Sequence, residues 1–133
     1  MKVLLDHNLA PEIARALSQL FHPVHQVVSL REKFDPATPD TEWIRKLSEE
    51  GQWIILSGDR RITRNKAEYE AFRISRLVGF FLSKGLQKSK VTKQTERILA
   101  LWDEIEKIAT SAQGGAIFEL PMKSTVIKPI KKK

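Results

Sequence analysis

The chain has 133 residues and a mass of 15.3 kDa, the size of one ordinary domain. Its 41% hydrophobic and 29% charged residues form a globular composition, which excludes a disordered or fibrous protein. The formal charge of +7 and the pI near 9.8 favour a polyanionic partner, nucleic acid above all, although positive charge can also serve solubility alone.

The chain contains no cysteine, which excludes disulfides, thiolate zinc sites and cysteine nucleophiles. Its N-terminal apolar run, residues 3–5, is far too short for a signal peptide or a membrane span. We therefore expect a cytoplasmic protein without a membrane segment. We also expect a single domain over residues 1–133, with its core in about residues 1–120 and a basic C-terminal tail at 121–133.

The first half of the chain alternates continuous apolar runs with amphipathic segments. The apolar runs predict strands over residues 3–5, 25–30 and 53–56. Helical spacing of apolar residues predicts one helix over 11–21 and a second one that Thr38 caps, that Pro39 begins and that Gly51 ends. Residues 31–39 contain two prolines among polar residues and predict a loop.

The second half continues the alternation. Thr63 is predicted to cap a helix through about Ser75, and a strand follows over 77–82. A basic loop over 85–90 leads to the longest predicted helix, over 91–112, which Gly114 and Gly115 terminate. Short strands over 116–120 and 125–130 precede the lysines at 131–133, a charged end that is either disordered or in contact with phosphate or a membrane surface. The pattern predicts an α/β fold around a mostly parallel sheet.

Two of the predicted strands lead directly to an acidic residue. Asp6 follows the strand over 3–5, and Asp59 follows the strand over 53–56 after a Ser57–Gly58 turn. Ligands of an open parallel sheet bind beyond the carboxyl ends of its strands, so we expect both carboxylates at that edge, joined by Asp40 from a helix start. Such a cluster predicts a site for Mg²⁺ or Mn²⁺, which can bind a phosphate oxygen and activate water.

Each of these acids also has a purely structural interpretation. Asp6 can brace the turn that follows it, Asp59 can belong to an ordinary turn, and Asp40 can complement a helix dipole. The coincidence of the three favours the metal site. We therefore predict Asp6, Asp40 and Asp59 as catalytic and metal-binding residues.

Polar residues around the acids are candidates for binding an RNA backbone. The basic candidates follow Asp59 in the sequence and are Arg60, Arg61, Arg64 and Lys66. An ordinary solvated helix face is the alternative for this set. Asn8 can contact phosphate or orient water, but it can equally cap the first helix. Glu42 is interpreted as a surface residue, and no histidine is assigned a catalytic role.

Three short segments together resemble the PIN-like nuclease superfamily, and more closely the short PIN-like domains of VapC-type toxins and their relatives. These segments are LLDHNLA at residues 4–10, PDTEWI at 39–44 and IILSGD at 54–59. The resemblance covers about residues 1–112 in the order of the elements. It implies a three-layer PIN-like fold in which helices flank a mostly parallel central sheet.

The resemblance also implies a function. Members of this superfamily cleave RNA endonucleolytically with a metal, often as the toxin of a toxin-antitoxin pair whose partner blocks the site. The family's acids correspond to Asp6, Asp40 and Asp59, and Asn8 matches a frequent polar companion. RNA is therefore the expected substrate, Mg²⁺ or Mn²⁺ the expected cofactor and an antitoxin the expected partner, while a homodimer is left open.

This chain departs from the family pattern in one respect. Many relatives carry a further acid soon after the acid that corresponds to Asp59, whereas this chain has Arg60, Arg61 and Arg64 there. The number of metal ions is therefore open. One ion, or a second ion completed by substrate phosphate, is consistent with three acids.

Two other functions are compatible with parts of the pattern. Asp6 followed by Asn8 faintly resembles the Asp-x-Asp opening of haloacid-dehalogenase-like phosphatases, but Asn8 stands where that motif needs a second acid. A non-catalytic RNA-binding or partner-binding domain of the same fold would bind RNA without Mg²⁺. It would also be indifferent to the substitution of Asp6, whereas a nuclease would not.

Overall fold

The computed structural model describes residues 1–130, so the predicted charged end at 131–133 lies outside the described part. One six-stranded sheet forms the centre of this part. Its strands are Lys2–Leu5 (β1), Gln26–Ser29 (β2), Trp53–Ser57 (β3), Val78–Leu82 (β4), Ile117–Leu120 (β5) and Lys128–Pro129 (β6). The order across the sheet is β2-β1-β3-β4-β5-β6. The first five strands are parallel, and β6 runs antiparallel to β5.

Helices connect the strands. In chain order they are Pro11–Phe21 (α1), Leu30–Lys33 (α2), Asp40–Glu50 (α3), Arg61–Arg64 (α4), Lys66–Arg73 (α5), Lys84–Gln87 (α6), Val91–Ala100 (α7) and Trp102–Ser111 (α8). Within residues 1–130, none of them has the length and apolar character that crossing a membrane requires.

The helices cover both faces of the sheet and so form the three-layer α/β fold that the sequence predicts. Side chains alternate along a strand, so Val3 and Leu5 of β1 enter one apolar cluster and Leu4 enters the other. The first cluster is completed mainly by α1, α7 and α8. The second is completed by α3, α4 and α5, and this layer carries most of the candidate site.

Several predicted boundaries in the first half of the chain need correction. Helix α1 has the predicted bounds, and Gly51 ends α3 with φ +81°, a left-handed conformation that suits glycine. However, α3 begins at Asp40 with Pro39 at its N-cap, so Thr38 is not the cap. Strand β2 ends at Ser29, because Leu30 begins α2, and this helix extends into the predicted loop.

The helix that Thr63 was predicted to cap, through about Ser75, is two helices, α4 and α5, and Thr63 lies inside α4 instead of capping it. The cap lies between them at Asn65, whose side chain accepts a hydrogen bond of 3.0 Å from the backbone N–H of Glu68. This turn separates Arg61 on α4 from Glu68 on α5 and still leaves both side chains at the same acidic cluster. The local cap, which a helical pattern alone does not reveal, therefore shapes the candidate site.

The C-terminal third also differs in detail from the prediction. The segment predicted as a basic loop contains α6, and the predicted longest helix divides into α7 and α8 at Leu101. Leu101 is fully buried, so the break between α7 and α8 lies within the apolar core. The last predicted strand shortens to β6, which pairs with β5 and so brings part of the predicted basic tail into the sheet.

The strand order reverses between β1 and β3. The chain passes from β1 outward to β2, then returns across β1 to add β3 on its other side. Leu5 pairs with Leu56 in the register of β1 and β3, and the backbone N–H of Asp6 donates to Leu56 O at 2.9 Å. Such a switch point leaves a crevice at the carboxyl ends of the two strands, and Asp6 and Asp59 both follow these ends.

Candidate active site

Asp6 is a buried carboxylate directly after β1, and only 1% of the residue is exposed. Its Oδ1 accepts a hydrogen bond of 2.7 Å from the backbone N–H of His7 and lies 2.8 Å from His7 Nδ1. Its Oδ2 accepts a hydrogen bond of 3.2 Å from Ser57 Oγ. A charge removed from water needs partners of this kind, and here they fix the carboxylate at the sheet edge.

Asn8 links Asp59 to the same network. Its side-chain amide donates to Asp59 Oδ1 and to Ser57 Oγ, both at 3.1 Å, and its Oδ1 accepts from the backbone N–H of Gly58 at 2.8 Å. A Cβ at Gly58 would lie 2.9 Å from the backbone oxygen of Asn8, so glycine permits this approach. Asn8 therefore joins the two strand ends and does not cap α1, whose N-cap is Ala10.

Asp40, the first residue of α3, is held by two donors. Trp43 Nε1 donates to its Oδ1 at 2.8 Å, and an Nη atom of Arg61 donates to its Oδ2 at 2.7 Å. Burial by itself raises the pKa of Asp40, but the hydrogen bonds from Trp43 and Arg61 outweigh it and the net pKa is lowered. Asp40 is therefore held in its ionised form.

The guanidinium of Arg61 lies among three carboxylates that come from separate elements. It is 2.7 Å from Asp40, 3.6 Å from Glu68 and 3.7 Å from Asp6. Asp59 also contributes, because its Oδ1 accepts a hydrogen bond of 2.8 Å from the backbone N–H of Arg61. Arg61 thus supplies positive charge at the point where the predicted acids meet.

Glu68 is a site residue that the sequence analysis missed. It occupies the first turn of α5, and the signal that places it there is the pattern Asn65-x-x-Glu68, which resembles a capping box. Burial raises the pKa of Glu68, and its hydrogen bond to Asp40 and the negative charge of Asp40 raise the pKa further. Of these two carboxyl groups, Glu68 is therefore the one that is protonated first as the pH falls, which lowers the negative charge of the cluster.

The predicted RNA-binding set does not act as one group. Arg60 forms an ion pair of 2.7 Å with Glu119 of β5, and Arg61 lies among the acids. Arg64 and Lys66 are exposed beside them. Glu42 lies at the surface, 3.9 Å from Lys46, as its interpretation as a surface residue requires.

The predicted metal site shows a mixed fit. Within residues 1–130, no group of three or more His, Asp or Glu side chains is arranged to hold a metal ion, since Arg61 separates the carboxylates. The donor chemistry nevertheless fits Mg²⁺ or Mn²⁺, which prefer carboxylate oxygens. One buried oxygen of Glu68 has no hydrogen-bond partner and can act as a metal ligand, whereas the two unpartnered nitrogens of Arg61 belong to a cation and cannot. The carboxylate oxygens therefore suit a divalent cation in their chemistry, whereas their arrangement around Arg61 within residues 1–130 is not that of a metal site.

Residues 1–84 match the model of a family described as "PIN like domain". The chain belongs to the PIN-like domain family. The matched part of this PIN-like domain contains Asp6, Asp40, Asp59 and Glu68, and it ends shortly after β4. The match confirms the predicted PIN-like family, whereas the resemblance to VapC-type toxins stays a prediction. No curated protein and no solved structure matches the chain.

Replacing Arg61 by Gln should destabilise the PIN-like domain, because Asp6, Asp40 and Glu68 would lose their shared positive charge. We expect a loss of about 2 kcal/mol in the free energy of unfolding, less than for a fully buried pair because the Arg61 side chain is 35% exposed. Urea unfolding in EDTA, followed by circular dichroism, measures the loss. The control R60Q breaks a more exposed pair and should cost less than about 1 kcal/mol. Equal losses would contradict the special role of Arg61.

The raised pKa of Glu68 predicts how stability depends on pH. The folded domain keeps this proton at a pH where the unfolded chain has released it, so stability falls as pH rises from about 4.5 through the raised pKa. The lowered pKa of Asp40 acts in the opposite direction, because it adds stability above the ordinary pKa of Asp40 and loses it as pH falls through the lowered value.

Glu68→Gln mimics the protonated form of Glu68 and should remove the decline in stability with rising pH. We expect it to match the parent below pH 4.5 and to have a higher Tm at neutral pH, measured in EDTA between pH 4 and 8. Glu96→Gln, on the exposed surface of α7, controls for the loss of one charge. A Tm of E68Q that stays below the parent throughout this range would refute the prediction.

Proposed function

We propose that this PIN-like domain is a metal-dependent endoribonuclease in which Asp6, Asp40 and Asp59 are the catalytic and metal-binding residues. The observation that supports this most is the convergence of acids at the switch point between β1 and β3. Asp6 and Asp40 meet at Arg61, and Asp59 joins them through Asn8 and the backbone of Arg61. A fold that only needed stability would gain little from gathering these charges.

Mg²⁺ or Mn²⁺ is the proposed cofactor, held by Asp6, Asp40 and Asp59, with Glu68 as a fourth carboxylate. When bound, the ion supplies Lewis-acid activation of the scissile phosphate and of the attacking water. Arg61 supplies the local positive charge in the structure, so its guanidinium would have to leave these carboxylates where they held an ion. The guanidinium of Arg61 would then be free to bind a substrate phosphate.

Other residues of the chain orient the catalytic acids or neutralise the RNA backbone. Asn8 uses both polar groups of its amide within the site, so we assign it to positioning Asp59 rather than to contacting RNA. Trp43 orients Asp40 in the same way. The exposed Arg64 and Lys66 are the proposed contacts to the RNA backbone, and Arg60 and Arg61 join them when their ion pairs open.

The proposed biological role is that of the toxin in a toxin-antitoxin pair, acting on cytoplasmic RNA. It rests on the resemblance of three short segments to VapC-type domains and on the basic charge of the chain. An antitoxin that covers the acid cluster is the proposed partner. A neighbouring gene for a small DNA-binding protein would support this role.

A non-catalytic RNA-binding domain is the second candidate function. The observation that favours it is the position of Arg61, which already neutralises acids that a nuclease leaves to its metal. On this alternative the ion pairs are permanent, and the net positive charge provides salt-sensitive RNA binding.

RNA cleavage separates the two candidates. The parent should cleave single-stranded RNA with Mn²⁺ or Mg²⁺, EDTA should abolish cleavage, and Asp59→Asn or Asp6→Asn should lower the rate at least about 100-fold by removing a metal ligand. Asp103→Asn, at the exposed start of α8, is the control and should retain full activity. Gel analysis of labelled RNA measures the rates, and circular dichroism checks each fold. RNA binding without cleavage, unchanged by metal and by D6N, would favour the second candidate.

Metal binding tests the displacement of Arg61 directly. Because the guanidinium competes with the ion for the same carboxylates, Arg61→Gln should bind Mn²⁺ about tenfold more tightly than the parent, a difference of about 1.4 kcal/mol. Isothermal titration calorimetry gives the two affinities. R60Q should bind Mn²⁺ like the parent, since Arg60 pairs with Glu119 instead. Equal affinities of R61Q and the parent would exclude competition.

A further inference from the structure

A cavity of about 420 Å³ opens beside the acid cluster. Its lining includes Asp40 and His7 together with Arg31, Phe34 and Asp35. Asp40 therefore belongs both to the cavity wall and to the cluster around Arg61. His7 contacts Asp6 through its backbone N–H and Nδ1, so a ligand in this cavity would lie directly against the candidate active site.

The cavity offers an apolar and aromatic surface. Leu30 and Trp43 are buried, and Phe34 is half-buried at the end of α2. The backbone N–H of Phe34 donates to Leu30 O at 2.9 Å, so the position of Phe34 is fixed by the helix end. Concave sites of roughly 300–1,000 Å³ with such a lining are typical of small planar ligands, and unstacked nucleobases bind proteins by stacking on aromatic rings.

The cavity also carries an unpaired cation. Arg31 is exposed and makes no ion pair or hydrogen bond to any other residue in the part of the chain that the structure describes. Other arginines on this face of the sheet form ion pairs, for example Arg61 with Asp40 and Arg45 with Glu49. A free guanidinium beside an aromatic surface matches a nucleotide, whose phosphate and base lie a few ångströms apart.

We propose that this cavity is a subsite for one nucleobase of single-stranded RNA, stacked on Phe34, with the adjoining phosphate bound by Arg31. This inference rests on the proposed function. It adds the binding site that would position the RNA strand next to the acids. An RNA occupant is favoured over a protein segment because the cavity shares Asp40 with the cluster proposed to act on phosphodiesters. The subsite would anchor one nucleotide adjacent to the cleaved bond.

RNA binding in EDTA tests the subsite without any dependence on metal or cleavage. The probe is a fluorescein-labelled single-stranded RNA of about 12 nucleotides, and fluorescence anisotropy gives its Kd. Phe34→Leu keeps an apolar side chain but removes the ring, so the RNA should bind about tenfold more weakly, as expected for one lost stacking contact. Phe34→Tyr should bind like the parent, because it retains the ring.

The charge of Arg31 is tested in the same assay. Arg31→Ala should weaken RNA binding several-fold and reduce the slope of log Kd against log salt by about one, as expected for the loss of one phosphate contact. Arg15→Ala removes one charge from α1 on the opposite face of the sheet and is the matched control. It should change the Kd less than about twofold.

Polyphosphate provides the control for the base itself. It carries charge but no base, so the parent and F34L should bind it equally. The nucleobase subsite is refuted if F34L binds RNA as tightly as the parent. It is also refuted if the substitution weakens binding to polyphosphate by the same factor as binding to RNA. The cavity would then be left to a protein partner. Circular dichroism confirms the fold of F34L, and F34Y and R31A test the proposal independently of it.

These outcomes separate the subsite from the nuclease function. Metal-dependent cleavage that D59N abolishes, together with normal RNA binding by F34L, would overturn the subsite and leave the nuclease intact. RNA binding that depends on Phe34 and Arg31, in a protein that never cleaves RNA, would support the subsite and overturn the nuclease.

Discussion

The organisation of this molecule depends on gathering negative charge at one edge of its sheet. The parallel register of β1 and β3 brings the residues that follow both strands to the same crevice, whatever their charge. Carboxylates held this close repel each other strongly where water is partly excluded. The structure offsets the repulsion with the guanidinium of Arg61, and the raised pKa of Glu68 provides a second way, because it favours the neutral form of that carboxyl group. A divalent cation would offset it in a third way.

Much of the fold is predictable from the sequence because its signals are local. Continuous apolar runs predict strands buried on both faces. Pro11 marks the start of α1, and Pro39 and Gly51 mark the two ends of α3. Asp6 and Asp59 were identifiable for the same reason, since each follows such a run. The helix breaks at Asn65 and Leu101 were not, because one is set by a side-chain cap and the other by packing against the core.

The contents of the site were only partly predictable. Residue type shows that Arg60 and Arg61 are cations, but it does not show that one pairs with Glu119 and the other with Asp40. That difference arises from the turn into α4, where successive side chains point in different directions. Glu68 is not apparent from the sequence because arginines occupy the positions just after Asp59, whereas the cap at Asn65 brings a later acid back to the cluster.

The pairing of β4 with β5 joins the segment that matches the family to the rest of the chain. Residues that match the family end just beyond β4, yet β5, α7 and α8 supply the neighbour of that strand and much of one apolar cluster. Arg60 is also tied to β5 through Glu119. A fragment cut at residue 84 would leave the β4 backbone as a bare edge with Phe80 uncovered, a surface prone to self-association. The segment that matches the family thus relies on the part that follows it to cover this edge.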